Sequence, residues 1–132
     1  MLLIPTDLAP SHIHGLGVFT RQPVAAGTEI WRFQAGFDTT FLVEDLQELP
    51  EPAREFLRHY AYLDRTTGQF VLNADHGRFM NHSATPTTGI DPRIGNAAGD
   101  PVTVALADLP AGTELTCDYR SFDGDVAWKL RA

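Results

Sequence analysis

Residues 78–86 read RFMNHSATP, an arginine, an asparagine, a histidine, a serine and a threonine gathered around Phe79 and Met80. Polar groups this dense need hydrogen-bond partners wherever they leave water. The stretch is therefore either a solvated turn or the lining of a ligand site. Arg78 can make a paired hydrogen bond to a carboxylate or brace its own loop, and Asn81 carries both a donor and an acceptor. A second segment, HGLGVF (His14 to Phe19), sets Gly15 and Gly17 at the entry to a strand, where a ligand can approach bare backbone. It lacks the third glycine and following helix of a dinucleotide fingerprint. The third segment, GTELTCDY, ends a strand on Tyr119, a position that ordinarily packs with its hydroxyl reaching water. Each segment alone fits a structural turn or a packing residue.

The elements that must position these residues are short. GLGVFTRQPVAAGTEIWRF predicts a β-hairpin of Gly17 to Arg21 with Glu29 to Phe33, its turn framed by Pro23 and Gly27. A helix is expected near LVEDLQEL, and a clearer one from Pro52 to Leu63 with proline in its first turn. Phe56, Leu57, Tyr60 and Ala61 form one apolar stripe on that helix, expected in the core, with Glu55 and Arg58 near solvent. GQFVLN reads as a strand. DPVTVALADLP reads as another, with Val102, Val104 and Leu106 on one face. AGTELTCDY is a turn followed by a strand, and RSFDGDVAWKLRA suggests a final helical turn carrying Trp128. Gly and Pro punctuate the whole chain, and no repeat or linker interrupts it. The fold class is mainly β with helices inserted in the middle, an α+β arrangement.

The 132 residues make about one domain, 43% hydrophobic. A chain of this size buries roughly two-thirds of its unfolded surface and needs no disulfide or metal to stand. Cys117 is the single cysteine, so no intrachain disulfide can form. A net charge of −7 disfavours nucleic acid and suits a basic peptide. Of the ten basic residues nine are arginine; Lys129 is the only lysine. The start MLLIPTDLAP has neither a basic leader nor an apolar run of secretory or membrane-spanning length. The expectation is a cytoplasmic protein without a membrane partner, a secreted or nuclear role remaining open.

Taken in order and at these separations, the three segments resemble the SET-domain protein-lysine methyltransferases, particularly the minimal stand-alone proteins of bacteria and viruses. Gly15 and Gly17 match the family's opening Gly-x-Gly. Arg78, Phe79, Asn81, His82 and Ser83 match its Arg-Phe-x-Asn-His-Ser signature. Glu114, Leu115, Thr116, Asp118 and Tyr119 match its closing Glu-Leu-Thr-x-Asp-Tyr. The resemblance runs from about Ser11 to Phe122 and implies several short curved sheets with a C-terminal pseudoknot. It implies one SET domain over 1–132: an N-terminal β part at about 11–40, a helical insert at about 41–66, a C-terminal SET part at about 67–122 and a short tail at 123–132. It implies S-adenosylmethionine as cofactor, held around His14, Gly15, Leu16, Gly17, Arg78, Asn81 and His82 with Tyr119 alongside. Tyr119 is then the catalytic residue, the substrate a lysine-containing basic protein or peptide, and Phe79, Cys117 and Trp128 line the substrate channel.

The sequence departs from the family in several places. Ala84 stands where the family usually has cysteine, and Thr87 where it has asparagine. The tail from Arg120 to Ala132 holds no cysteine, so no post-SET zinc site is expected and the channel wall must come from elsewhere. Trp128, Phe122 or a second copy in a homodimer could supply it. Cys117 occupies a position where the family commonly has Phe or Tyr and which governs how many methyl groups fit. A small residue there either leaves room for two or three methyls or merely fills a core gap. Two rivals stand beside this reading. One is a SET-fold binding module without catalysis. The other is a metal-dependent β-barrel enzyme using His12, His14, His76 and His82, which would leave the Glu-Leu-Thr-x-Asp-Tyr segment without a purpose.

Overall fold

A computed structural model describes residues 1–95 and 101–131. Among the described residues there are three small sheets and three short α-helices. Strands β1 (Thr6–Pro10), β2 (Leu16–Thr20), β10 (Glu114–Cys117) and β7 (Asn81–His82) form one sheet in the order β1-β2-β10-β7. A second sheet runs β3 (Glu29–Trp31), β9 (Pro101–Ala105), β8 (Thr88–Gly95), and a third β4 (Thr39–Phe41), β6 (Phe70–Leu72), β5 (Tyr62–Leu63). Helices α1 (Val43–Gln47) and α2 (Glu51–Tyr60) interrupt the strands mid-chain, and α3 (Val126–Lys129) closes the described tail.

The expected hairpin does not form. Leu16–Thr20 pairs with β1 over five positions on one edge and with β10 on the other, so both its edges are taken. Glu29–Trp31 pairs with β9 instead. The connection between them is too long for a tight turn, and Val24 is tied by paired backbone bonds of 2.8 and 2.7 Å to Leu109. Strand alternation marks an exposed and a buried face but does not choose the partner. The strand Thr6–Pro10, read from sequence only as a non-secretory start, is the element that displaces the hairpin.

Helix α2 ends at Tyr60, three residues before the expected end, because Tyr62–Leu63 pairs with β6 and the Leu63 N–H donates to Asp123 Oδ1 at 3.0 Å. The apolar stripe splits. Leu57 and Ala61 are buried against Leu46 and Phe70, the core under the helical insert. Phe56 is 41% exposed and Tyr60 faces the cavity described below, so half of the stripe lies outside the core and one residue of it belongs to the site. On β9, Val102 and Val104 are buried as expected, whereas Leu106 lies past the strand end and is exposed. Asp100, at the start of that expected strand, and Ala132, at the end of the tail, lie outside the described residues.

The main core gathers Val18, Ile30, Met80, Ala105 and Leu115. Burial of these apolar side chains, each larger one contributing on the order of 1.5–3 kcal/mol and Ala105 less, holds the first sheet to the second. Over this core β7 and β10 run parallel, Thr116 opposite Asn81 and Cys117 opposite His82. This is the crossing of two late segments on which the pseudoknot depends. Thr87 secures it. Its N–H donates to Thr116 Oγ1 at 3.0 Å, the Thr116 N–H donates back to Thr87 Oγ1 at 2.9 Å, and Thr87 Oγ1 donates to the Glu114 carbonyl at 3.0 Å. Next to it the fully buried Thr88 donates to the Thr116 carbonyl at 2.8 Å.

Candidate active site

Three loops meet where β7 crosses β10. The first, His14–Leu16, turns into β2 through Gly15, whose φ of +47° is one that L side chains rarely adopt. Asn81 fixes this turn from below. It is buried at 8% exposure, and its Nδ2 donates to the His14 and Leu16 carbonyls, each at 3.1 Å, with Glu114 Oε2 a further 3.4 Å away. Gly17 allows the arrangement, since a Cβ there would lie 2.7 Å from Glu114 Oε1. The donor capacity of Asn81 is therefore satisfied by the chain, which makes the residue a brace for the Gly15 turn.

The second loop is a 3-10 turn, His76–Phe79, started by Asp75, whose side chain accepts the Gly77 N–H at 3.0 Å. It brings Arg78 and Phe79 to the site. Arg78 Nε donates to the Asn73 carbonyl at 2.9 Å, so its Nη groups are the donors it can offer to the cavity. The third loop, Tyr119–Ser121, is also a 3-10 turn, started by Asp118 through the Arg120 N–H. The Tyr119 N–H donates to His82 Nδ1 at 3.1 Å. Because Nδ1 accepts there, its 3.6 Å approach to Asp118 Oδ1 is not an ion pair, and the ring proton sits on Nε2. The Tyr119 hydroxyl donates to the Met80 carbonyl. Burial is the main cause that raises the phenol's pKa above its ordinary range, followed by the neighbouring Cys117 and Asp123. Tyr119 therefore stays a neutral hydroxyl.

Together the loops enclose a cavity of about 310 Å³ that also takes in His59 and Tyr60 of α2 and Lys129 of α3. Its size falls at the lower end of small-molecule sites, roughly 300–1,000 Å³. Of the residues expected from sequence, it joins His14, Gly15, Leu16, Arg78, Phe79, Asn81, His82 and Tyr119. Three others lie off its wall. Gly17 sits behind it, against Glu114. Cys117 packs on the main core, where desolvation pushes its thiol up to about 12. Trp128 lies in a neighbouring hollow with Pro52 and Phe56, its ring between the guanidiniums of Arg58 at 4.5 Å and Arg131 at 3.7 Å. Phe122, the other aromatic considered for the wall, stands 6.1 Å from Tyr119 and 5.3 Å from Tyr62, ring edge to ring face. His12, His14, His76 and His82 do not converge: among the described residues no three metal-ligating side chains gather.

The SET-domain family model matches residues 15–120. The chain belongs to the SET-domain family. Among solved structures the SET fold here is similar to a Plasmodium falciparum protein named as a candidate histone methyltransferase. The two share 20% identity at a TM-score of 0.59, over 89% of this chain and 95% of that one, a likeness of fold.

Six residues of this SET domain's cavity escaped the sequence reading, Ile13 and Leu130 among them. His59 and Tyr60 were hidden in a helix whose stripe looked like core. Tyr60 meets Phe79 at 5.3 Å and His59 meets His14 at 5.7 Å. Burial lowers the His59 pKa, and the charges of His14, Lys129 and Arg131 lower it further, which keeps the imidazole neutral. Met80 lines the cavity beside its mapped neighbours, since its carbonyl takes the Tyr119 hydroxyl. Lys129 did give a signal, being the only lysine in an arginine-rich set, but nothing local placed it beside Tyr119.

Proposed function

We propose that the protein transfers a methyl group from S-adenosylmethionine to the side-chain amine of a lysine in a protein substrate. The observation that carries this is the convergence of the Gly15 turn, Arg78, Asn81, His82 and Tyr119 on one cavity in a SET domain.

The residues present fit the cofactor. The cavity is lined by Arg78 and by imidazoles and carries no carboxylate among its lining residues, which suits a ligand bearing a carboxylate. No side chain stands within 4 Å of where a Gly15 Cβ would be, so the turn presents open backbone to a ligand. Arg78 would bind the carboxylate through its Nη groups, and the His14–Leu16 backbone would hold the amino-acid end. When bound, the cofactor supplies an electrophilic methyl group on a sulfonium.

The chain's own residues then have to present a neutral amine in line with that methyl. At pH 7 only about one lysine amine in a few thousand is neutral. Withdrawal from water into the aromatic surroundings of Tyr119, Phe122 and Tyr62 favours the neutral form. Tyr119 orients rather than deprotonates: its pKa is raised, so it is a poor phenolate and a good fixed hydroxyl. The Met80 carbonyl and the His82 Nδ1 hold that residue from both ends, its hydroxyl and its backbone N–H. Alignment of this kind accounts for most of the rate in such a transfer.

The decisive experiment incubates the protein with labelled S-adenosylmethionine and whole-cell lysate, followed by mass spectrometry of any labelled band. Label on a lysine, lost with Tyr119→Phe, is the expected result. Cofactor binding without any label would favour a binding module instead.

A further inference from the structure

Asp123 is a carboxylate with 0% side-chain exposure just beyond Tyr119. Its Oδ1 accepts two backbone N–H groups, from Leu63 at 3.0 Å and Asp125 at 2.8 Å, so its position is fixed by the fold itself. That leaves Oδ2 aimed at a single cation. The cation is the Lys129 ammonium, 2.6 Å away, with 7% side-chain exposure. The same ammonium donates to the carbonyl of Ala61, the buried residue that caps α2, and lies 5.4 Å from the centroid of the Tyr119 ring.

One carboxylate oxygen, one carbonyl oxygen and one ring face make an acceptor set for a compact ammonium with three donors. A planar guanidinium, with five donors in a fixed fork, does not match it. The chain supplies its only lysine at this point, although its other nine basic residues are arginine. Lys129 also lines the cavity that contains the Gly15 turn, Arg78 and Tyr119, the residue whose ring its ammonium approaches.

We infer that Asp123 Oδ2, the Ala61 carbonyl and the Tyr119 ring form an alkylammonium-binding site, and that Lys129 fills it as an internal stand-in for a substrate lysine. Only the identity of the incoming group as a substrate lysine rests on the methyltransferase reading above. An arriving lysine exchanges one ammonium for another at the same acceptors, so the exchange is close to balanced and the tethered Lys129 acts as a competitor.

The test empties the site and refills it. Lys129→Ala removes the atoms from Cγ to Nζ, and propylammonium has the same three carbons and nitrogen. In Lys129→Ala, which leaves a buried carboxylate unpaired, propylammonium chloride should restore at least half of the lost melting temperature in a saturable way. Propanol or sodium chloride at the same concentration should not, and wild type should not respond. Where Lys129→Ala is unfolded, recovery of native circular dichroism on adding propylammonium is the same readout. No recovery in either form overturns the site. The double variant Asp123→Asn/Lys129→Met, which removes both charges at similar volume, should fold and ignore propylammonium; an equal response there overturns the role of Asp123. Nα-acetyl-lysine methylamide should act like propylammonium on Lys129→Ala, and a response to propylammonium alone overturns the substrate half of the inference. S-adenosylmethionine binding to wild type is measured in parallel. Its absence with propylammonium rescue intact overturns the methyltransferase reading and leaves the ammonium site standing; the reverse pattern overturns the ammonium site alone.

Discussion

Asn81→Ala separates two roles that an asparagine in this position can have. The side chain donates two neutral hydrogen bonds, to the His14 and Leu16 carbonyls at 3.1 Å each, besides a longer contact to Glu114 Oε2 at 3.4 Å. A neutral bond contributes about 1 kcal/mol net, so the pair contributes about 2 kcal/mol. Both accepting residues are exposed and their carbonyls can regain water in the variant, which sets the lower end at about 1 kcal/mol. For a domain of this size that loss lowers the melting temperature by roughly 3–8 °C. The Gly15 turn would then lose its brace and relax from the φ of +47° it now holds. S-adenosylmethionine affinity should fall as well, through loss of preorganisation. Urea denaturation gives the stability change and isothermal titration calorimetry the affinity. A variant as stable as wild type within about 0.5 kcal/mol, yet weakened in binding, would refute the reasoning, because Asn81 would then act on the ligand alone.

Tyr119→Phe keeps the ring and loses the hydroxyl bond to Met80; methyl transfer should drop at least about 100-fold while calorimetric cofactor affinity changes little. Thr116→Val leaves the Thr87 N–H without its acceptor and should cost about 1–3 kcal/mol by urea denaturation, whereas Thr40→Val on the exposed face of β4 should be near neutral. The Cys117 thiol, pushed up to about 12 by desolvation, should resist iodoacetamide in the native protein at pH 8 and react only after unfolding, as followed by intact mass. Cys117 and Tyr119 both hold their protons longer folded than unfolded. Their contribution to stability is therefore complete below the ordinary thiol value near 8.5 and is lost as pH rises towards 12; chemical denaturation between pH 8 and 11 should show that decline.

The sequence by itself determined the motif positions, and through them the family and part of the cavity's polar lining. Gly15, Arg78, Asn81, His82 and Tyr119 lie in short segments whose side-chain chemistry is local, so their identity and order could be read from the chain. It also determined the kind of most elements, because alternation and helical spacing are local patterns: β6, β9, β10, α1 and α2 all lie where the patterns put them. Tertiary structure decided the partners. Leu16–Thr20 looked like half of a hairpin until β1 and β10 took both its edges. Phe56 and Tyr60 looked like core until Leu57 and Ala61 proved to be the face that packs. Asn81 looked like a ligand contact alone until its amide was found also to brace the His14 and Leu16 carbonyls, 67 and 65 residues away in the chain. Lys129 is the extreme case, since its acceptors are Asp123 and the carbonyl of Ala61, 68 residues earlier. A periodic pattern reports which face of an element is apolar. Which group lies across a crossing is settled only when distant segments compete for the same edges and the same buried acceptors.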